Sequence, residues 1–360
     1  MTNRLSTGAA RDRPITLKEL AARAGVHAST ISRVVNNDPV LRISAQTRAR
    51  IEALLEETDY RPDVVARSLR MRQTFVLAML IPDISNPLFA NIFMGIEEVA
   101  GERGYGVILA NTGGAADREH AHLRSLQARR VDGVVLASVL LRDPSVRWLR
   151  EQGIKHVLVN RYSTERDPFV GADDFAGANM ATRHLIELGH RRIAHLSGSR
   201  GVSTALHRRR GYREALEDAG IAPDPALVAE SGYLEAPGRE AMERLLRLPR
   251  PPTAVFAIND LAAMGAHAAV LDHGLRIPED VAIVGYNDVP LASRLSPPLT
   301  TLRVPVRDFG RISAQMLIDQ IQSRRTIRRR VILRPELIVR GSTVLGAAPQ
   351  RTPESAISLD

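Results

Sequence analysis

At 360 residues, the chain is long enough to form two or three domains. Apolar residues make up 44% of it and charged residues 25%, which excludes a collagen, a coiled-coil rod and a wholly disordered chain. The absence of cysteine excludes disulfides and thiolate chemistry, and the formal net charge of +9 raises the expectation of a nucleic-acid partner.

The first 13 residues are polar and are predicted to form a disordered lead. They lack the apolar core of a secretory signal, and no stretch of the chain approaches the ~18 uncharged apolar residues needed to span a membrane. The sequence therefore predicts a cytoplasmic protein without membrane contact. Positive charge is concentrated near this end, because residues 1–73 hold 13 Lys and Arg against 8 Asp and Glu.

Residues 14–60 read as three short helices without a strand pattern. Thr16 and Glu19 have the spacing of a capping box, and Gly25 is suited to end the first helix. A second helix is predicted from about Ala28 to Asn36, and a third begins after Ser44 as N-cap. Two short helices joined by a glycine-containing turn are typical of a helix-turn-helix DNA-binding domain.

In such a domain the second helix enters the major groove, and its first residues meet base edges. Here those residues are Ala28 and Ser29, followed one turn later by Arg33, which is suited to a bidentate contact with guanine. Small polar or imidazole side chains around them are suited to phosphate contacts: His27, Thr30, Ser32 and Asn36. Thr16 is also expected to contact DNA. The alternative is a generic three-helix cap in which Arg33 is merely solvated.

Residues 61–73 are predicted to form a hinge helix and linker. Within them Leu69 is an apolar residue between Arg67 and Arg70, a pattern that suits insertion into the minor groove with partial unstacking of a base step. The alternative is an ordinary linker whose leucine packs on the next domain.

From residue 74 to 345, apolar runs alternate with amphipathic helical stretches, which predicts parallel sheets covered on both faces. The region is too long for one sheet of usual size, so two Rossmann-like lobes are expected. The N-lobe is predicted to hold residues of about 74–172 and 302–331, and the C-lobe about 173–301 and 332–345. Residues 346–360 are predicted to be a disordered tail.

Small polar residues follow nearly every predicted strand of this body. They are Asp83, Asn111, Ser138, Asn160, Ser197, Asn259, Asp260, Asn287 and Asp288. Ligands of open parallel sheets bind beyond the carboxyl ends of the strands, so this set predicts a site in the crevice between the lobes. Phe89 is suited to stack on a sugar or base face. The alternative is that these residues only begin turns and cap helices.

Motifs in this order and spacing resemble the lactose-repressor family (LacI/GalR) of bacterial transcription regulators. They are ITLKELAARAGVHASTISRVVN at 15–36, YRP at 60–62, ARSL at 66–69, PDISNPLF at 82–89, GHRRI at 189–193, RGYR at 210–213, PTAVF at 252–256, ND at 259–260, VGY at 284–286 and PLTT at 298–301. The resemblance covers residues 14–345. It implies a periplasmic-binding-protein-like body, a homodimer, a near-palindromic operator and an effector between the lobes.

By resemblance, Ala28 and Ser29 match the base-reading pair, Leu69 matches the intercalating hinge leucine, and Arg208 and Asn259 match effector-binding positions. The chain departs from the family at His27, where a serine is usual. The loop 37–43 is about two residues longer than usual.

Two asparagines, Asn160 and Asn287, stand at positions that are acidic in many relatives. The expected effector set is therefore Asp83, Phe89, Asn160, Arg208, Asn259, Asp260, Asn287 and Asp288. This set favours a neutral sugar and leaves an acidic or phosphorylated sugar open.

The chain lacks the common phosphate-loop, dinucleotide-binding, zinc-protease and serine-hydrolase motifs, so neither catalysis, a cofactor nor a metal is predicted. The sequence predicts a transcription regulator, most simply a repressor, whose operator affinity an effector controls through lobe rotation. Induction and corepression both remain open. The alternatives are a free sugar-binding transport protein and an unrecognised α/β enzyme.

Overall fold

The structure is a computed structural model that describes residues 15–35, 40–58, 60, 73–163, 166–323 and 329–344. The predicted lead, most of the hinge and the predicted tail lie outside the described residues. The chain divides into two compact units between Thr74 and Phe75. The predicted combination of a helix-turn-helix head and a two-lobed α/β body is confirmed.

The head consists of three helices, α1 (Leu17–Ala24), α2 (Ala28–Val35) and α3 (Ala45–Glu57). The predicted caps are confirmed: the Thr16 hydroxyl accepts a hydrogen bond from the Glu19 amide, and the Glu19 carboxylate accepts one from the Thr16 amide at 2.7 Å. Gly25 ends α1 with a left-handed φ of 62°. Each helix contributes a fully buried side chain to one small core: Leu20, Ile31 and Ile51.

The body contains two six-stranded sheets. The first has the order β11-β5-β4-β3-β1-β2 and is parallel throughout. The second has the order β12-β10-β9-β8-β6-β7, with only β12 antiparallel to its neighbour. The strands are β1 (Val76–Ile81), β2 (Gly106–Asn111), β3 (Gly133–Leu136), β4 (His156–Val159), β5 (Phe169–Ala172), β6 (Ile193–Ser197), β7 (Val228–Glu230), β8 (Ala254–Ala257), β9 (Ala282–Asn287), β10 (Thr300–Arg303), β11 (Arg330–Leu333) and β12 (Glu336–Ile338).

Helices cover the sheets. They are α4 (Pro87–Glu102), α5 (Ala116–Ala128), α6 (Pro144–Glu151), α7 (Asp174–Glu187), α8 (Ser203–Asp218), α9 (Glu235–Leu246), α10 (Asp260–Asp272) and α11 (Val306–Ser323). The chain passes from the N-lobe to the C-lobe after β5, returns after β10 and leaves again after β11. Strands β10 and β11 end at Arg303 and Leu333, two residues beyond the predicted crossings. In the described part of the chain, no helix is long and apolar enough to cross a membrane.

Glycines allow neighbouring helices to approach closely. In the N-lobe, α4 crosses α11 with Gly95 against the backbone of Arg307 and Gly310 against the backbone of Ile92. A Cβ at either glycine would overlap a backbone carbonyl oxygen of the facing helix. Since backbone cannot move aside as a side chain does, this contact fixes α11, and with it the return of the chain, on the N-lobe.

We expect Gly95→Ala to lower the free energy of unfolding by about 1–3 kcal/mol, because the added methyl overpacks the crossing. Gly101→Ala is the matched control in the same helix, since a Cβ added at Gly101 would meet nothing within 4 Å. The control should be neutral or more stable by about 0.5–1 kcal/mol. Urea unfolding measures both, and equal stability of the two variants would contradict the close packing.

Candidate DNA-reading helix and interlobe effector site

The outer face of α2 carries the predicted base-reading residues. Ile31 and Val34 are buried in the core of the head, so the helix turns Ser29 and Arg33 outward, and both are exposed. Ala28, Thr30 and Ser32 are half-buried. An exposed serine and arginine one turn apart match the spacing at which side chains reach adjacent base edges.

His27 closes the amino end of this helix. Its Nδ1 atom accepts a hydrogen bond from the Ser29 amide at 3.3 Å and lies 2.7 Å from the Ser29 hydroxyl. The imidazole therefore performs the capping role that a serine or aspartate side chain usually has. Two residues expected on DNA are thus bonded to each other, and Thr16 is likewise engaged in its capping box. The remaining predicted DNA contacts lie outside the described residues: Asn36, Arg67, Leu69 and Arg70.

Within the body, the two lobes touch at the predicted crevice. The Leu141 amide of the N-lobe donates a hydrogen bond to the Gly201 carbonyl of the C-lobe at 2.8 Å. The Tyr162 amide donates to the Ser203 hydroxyl at 3.0 Å, and the Tyr162 hydroxyl lies 2.5 Å from Nε2 of His207. These contacts close the crevice over the strand ends.

Arg208 of α8 lies at the centre of the C-lobe wall and is only 4% exposed. Its guanidinium donates to Oδ1 of Asp174 through two nitrogens at 2.8 Å each and also donates to the Ile258 carbonyl. It stacks on the ring of Tyr286, with 3.6 Å between the guanidinium carbon and the ring centroid. Burial is the largest single influence and lowers the pKa of Arg208, but Asp174, Tyr286 and Tyr233 together hold that pKa above its usual range.

The three predicted asparagines lie at the carboxyl ends of strands, and each is at most 8% exposed. Asn259 caps α10 by accepting from the Ala262 amide at 2.9 Å, and its amide nitrogen donates to the Tyr233 carbonyl at 2.9 Å. Asn160 and Asn287 have left-handed φ angles of 63° and 114°. Neither of these two side-chain amides forms a hydrogen bond with a described residue, so both are available to a ligand.

Asp83 begins the turn before α4 and is half-buried. Its Oδ1 accepts from the amide and the hydroxyl of Ser85 at 2.9 and 2.8 Å. One carboxylate oxygen therefore organises the turn, while the other oxygen accepts no bond from the described residues.

Three predicted effector residues are structural instead, which corrects the sequence-based set. Phe89 is 2% exposed and packs in the N-lobe core, so its ring has no free face. Asp260 is fully buried, and its two oxygens accept from the Thr301 hydroxyl at 2.5 Å and the Val289 amide at 2.8 Å. The Asp288 oxygens are held by Arg303 and Arg340 at 2.8 and 2.7 Å. The strand-end pattern does not distinguish such internally satisfied groups from open ones.

Other buried polar residues of the crevice were not predicted from the sequence. Arg161 follows Asn160 directly and stacks on the ring of Tyr233 across the crevice, 4.8 Å from guanidinium carbon to ring centroid. Glu119 of α5 accepts a hydrogen bond from the Ser138 hydroxyl. Burial lowers the pKa of Arg161 and raises that of Glu119, because the low-dielectric interior disfavours either charge. The one sequence feature that could have identified Arg161 as a crevice residue is its position directly after Asn160, at the end of a predicted strand.

These geometries define a class of protein: a helix-turn-helix head on the same chain as a two-lobed, ligand-binding α/β body. Family models match both parts, "Bacterial regulatory proteins, lacI family" over residues 16–63 and "Periplasmic binding protein-like domain" over residues 182–343.

The ribose operon repressor of Escherichia coli K12 is 35% identical over 333 residues, covering 91% of this chain and 99% of that protein. The transcriptional repressor CytR of the same strain is 33% identical over 330 residues, covering 91% and 96%. The chain therefore belongs to the lacI family of bacterial regulatory proteins.

Solved structures agree with this assignment. The complex of the transcriptional regulator CelR with cellobiose has a TM-score of 0.71 at 34% identity, covering 91% of this chain and 99% of that one. The lac repressor dimer bound to operator and the anti-inducer ONPF has a TM-score of 0.82 at 26% identity, covering 92% and 100%.

The internal bonding of Asp260 has a consequence for pH dependence. Burial raises the pKa of Asp260 to about 6, although the bonds from Thr301 and Val289 oppose the rise. Because the folded-state value exceeds the unfolded one near 3.8, the folded state binds the proton more tightly. The contribution of Asp260 to stability is therefore lost as the pH rises from about 4 to about 6.

The variant Asp260→Asn carries no charge at this position at any pH. Between about pH 4 and pH 6, we expect its free energy of unfolding to increase by about 3 kcal/mol relative to that of wild type. Urea unfolding of both proteins at pH 4, 5, 6 and 7 measures the difference. The buried His195, whose pKa burial lowers to about 4, titrates in both proteins and cancels from the comparison. A difference that is constant with pH would contradict the assignment.

Proposed function

We propose that the protein is a transcriptional repressor that binds a near-palindromic operator as a homodimer. A sugar that binds between the lobes then lowers or raises its affinity for the operator. The observation that carries the proposal is the presence of two sites on one chain. An outward-facing Ser29 and Arg33 supply a DNA-reading surface, and the crevice holds buried polar groups that need a ligand. The protein binds its ligand without turnover and acts in the cytoplasm, where its operator is.

On DNA, Ala28, Ser29 and Arg33 read base edges in the major groove. Phosphates are bound by polar residues around them, namely Thr16, His27, Thr30, Ser32 and Asn36. In the hinge, Leu69 enters the minor groove between Arg67 and Arg70. Support comes from the relatives, since the lac repressor structure is described as a dimer bound to operator.

In the crevice, Arg208 and the amides of Asn160, Asn259 and Asn287 bind the hydroxyl groups of a sugar, and Asp83 lies at the N-lobe edge. Arginine and amide side chains supply the directional hydrogen bonds that polyols require. Support comes from the cellobiose complex of CelR and from the name of the ribose operon repressor.

The mechanism is a shift between lobe arrangements. A ligand that bonds to both walls stabilises the closed crevice, and it changes operator affinity only in so far as it binds the closed and open arrangements differently. The bonds at Leu141 and Tyr162 are the contacts between the lobes that such a movement breaks and reforms.

For the DNA-reading surface, we expect Arg33→Ala to weaken specific operator binding by about 1–3 kcal/mol, or roughly fivefold to 150-fold, while non-specific DNA binding changes little. Fluorescence anisotropy with an operator selected from random DNA measures both affinities. Arg213→Ala, an exposed arginine of the body, is the control. Equal losses on specific and non-specific DNA would show that Arg33 contacts only phosphate.

For the effector site, we expect the double variant Arg208→Gln/Asp174→Asn to bind operator normally but to lose its response to ligand. The paired change leaves no buried charge without its partner, which a single change would do. A thermal-shift screen of sugars, nucleosides and sugar phosphates first identifies a ligand, and operator binding is then titrated with it. Arg213→Ala in the same helix is the control. An unchanged ligand response in the double variant would refute the site.

A further inference from the structure

Arg161 is a buried cation for which no described residue serves as a counterion. The residue is 8% exposed, and among the described residues no carboxylate forms an ion pair with it. Its Nε atom has no hydrogen-bond partner there either. The other deeply buried arginines are paired, since Arg208 contacts Asp174 at 2.8 Å and Arg340 contacts Asp288 at 2.7 Å. Burying a charge without a partner is destabilising, so Arg161 stands out as an unsatisfied group.

The groups around Arg161 do not satisfy it. Tyr233 offers only the face of its ring, and its own hydroxyl is also without a hydrogen-bond partner in the described part of the chain. Arg208, on the opposite wall, repels the Arg161 charge. Glu119 attracts that charge but forms no ion pair with it, and one carboxylate oxygen of Glu119 is held by Ser138. The second oxygen, Oε1, is buried and accepts no bond from a described residue.

Three acidic residues of the C-lobe are already committed. Asp174 neutralises Arg208, Asp288 neutralises Arg303 and Arg340, and Asp260 is bonded inside the C-lobe. Asn160 and Asn287, the buried strand-end side chains without a hydrogen bond to a described residue, carry amides and not carboxylates. The charge of Arg161 is therefore left for a ligand to balance.

We propose that the effector is a sugar-sized polyol that bears an anionic group, a carboxylate or a phosphate, and that this group pairs with Arg161. A hydroxyl oxygen accepts the Nε hydrogen bond but leaves the buried charge unbalanced. An oxyanion accepts the hydrogen bond and also balances the charge. A hydroxyl of the same ligand donates to Oε1 of Glu119. The inference rests on the proposed effector site in the crevice and names the chemical class that this site selects.

The first test uses inorganic phosphate as the probe and needs no knowledge of the effector. At constant ionic strength, phosphate should raise the melting temperature of wild type saturably, by about 2–4 °C or more, because it binds the folded state only. R161Q should lose this saturable rise, and R213Q, at an exposed arginine, should keep it. An equal rise in wild type and R161Q would overturn the proposal.

The same variant tests the burial argument. Without ligand, R161Q should melt no lower than wild type, because glutamine removes an unpaired buried charge. A clear fall in the melting temperature of R161Q would show that Arg161 is satisfied within the fold, and it would overturn the proposal.

The second test separates the two sources of the anion. Calorimetric titration compares glucuronate with glucose, galacturonate with galactose, and ribose 5-phosphate with ribose. We expect at least one anionic member to bind wild type tenfold or more tightly than its neutral parent, and R161Q to lose that preference. Preference for a uronate identifies a carboxylate, and preference for the sugar phosphate identifies a phosphate. A neutral sugar that binds wild type and R161Q equally well, and better than the anions, would overturn the inference.

Operator binding distinguishes this failure from failure of the proposed function. R161Q should bind the selected operator as wild type does, since the substitution lies in the body. If a neutral sugar controls operator binding in both proteins, the proposed function is supported and only the proposed anionic class of effector is wrong. If wild type binds no operator, the proposed function itself fails.

Discussion

The buried ion pair of Arg208 and Asp174 is the interaction on which the C-lobe wall of the crevice depends. It ties the first turn of α7 to α8, and the same guanidinium reaches the carbonyl of Ile258, directly after β8, and the ring of Tyr286 in β9. Four elements from distant parts of the chain therefore meet at one side chain. Because removing either partner would leave a buried charge unpaired, both residues are needed to hold this wall together.

The N-lobe wall is built on the opposite principle. Arg161 and Glu119 are buried, yet each has an atom without a partner in the described part of the chain. Unmet hydrogen-bonding groups are costly inside a protein and persist where a ligand completes them. The C-lobe wall is thus organised around a paired arginine, although its Tyr233 hydroxyl also lacks a described partner, whereas the buried arginine of the N-lobe wall forms no ion pair with a described residue.

Much of the fold was predictable because its signals are local. Seven strands stand out in the sequence as apolar runs, from Val76–Ile81 to Ala282–Asn287, and the caps at Thr16 and Ser44 follow from side-chain chemistry at fixed spacing. The short strands β5, β7, β10, β11 and β12 were not predicted, since three or four residues are too few to carry a distinct period. Helix α11 was not predicted as an element, although residues 302–331 were assigned to the N-lobe. Its position depends on the glycine contact with α4, which no local pattern shows.

The contacts of the proposed effector residues were predictable only in part. The strand-end rule selected Asn160, Asn259 and Asn287. It also selected Asp260 and Asp288, whose carboxylates are hydrogen-bonded inside the C-lobe by Thr301, Val289, Arg303 and Arg340. These partners are up to 52 residues distant in sequence, so no local pattern reveals them. Tyr233 and Glu119 were missed for the same reason, since their importance arises from what faces them across the crevice.

The route of the chain through the lobes also sets an order of assembly during synthesis. The C-lobe draws five of its six strands from the continuous stretch between Ile193 and Arg303, whereas the N-lobe lacks α11 and its edge strand β11 until residues 306–333 have emerged. The lobe that is translated first is therefore completed only after most of the other lobe has emerged. A nascent N-lobe waits with the glycine face of α4 uncovered, and a message truncated before Leu333 yields a chain in which neither lobe has all its strands.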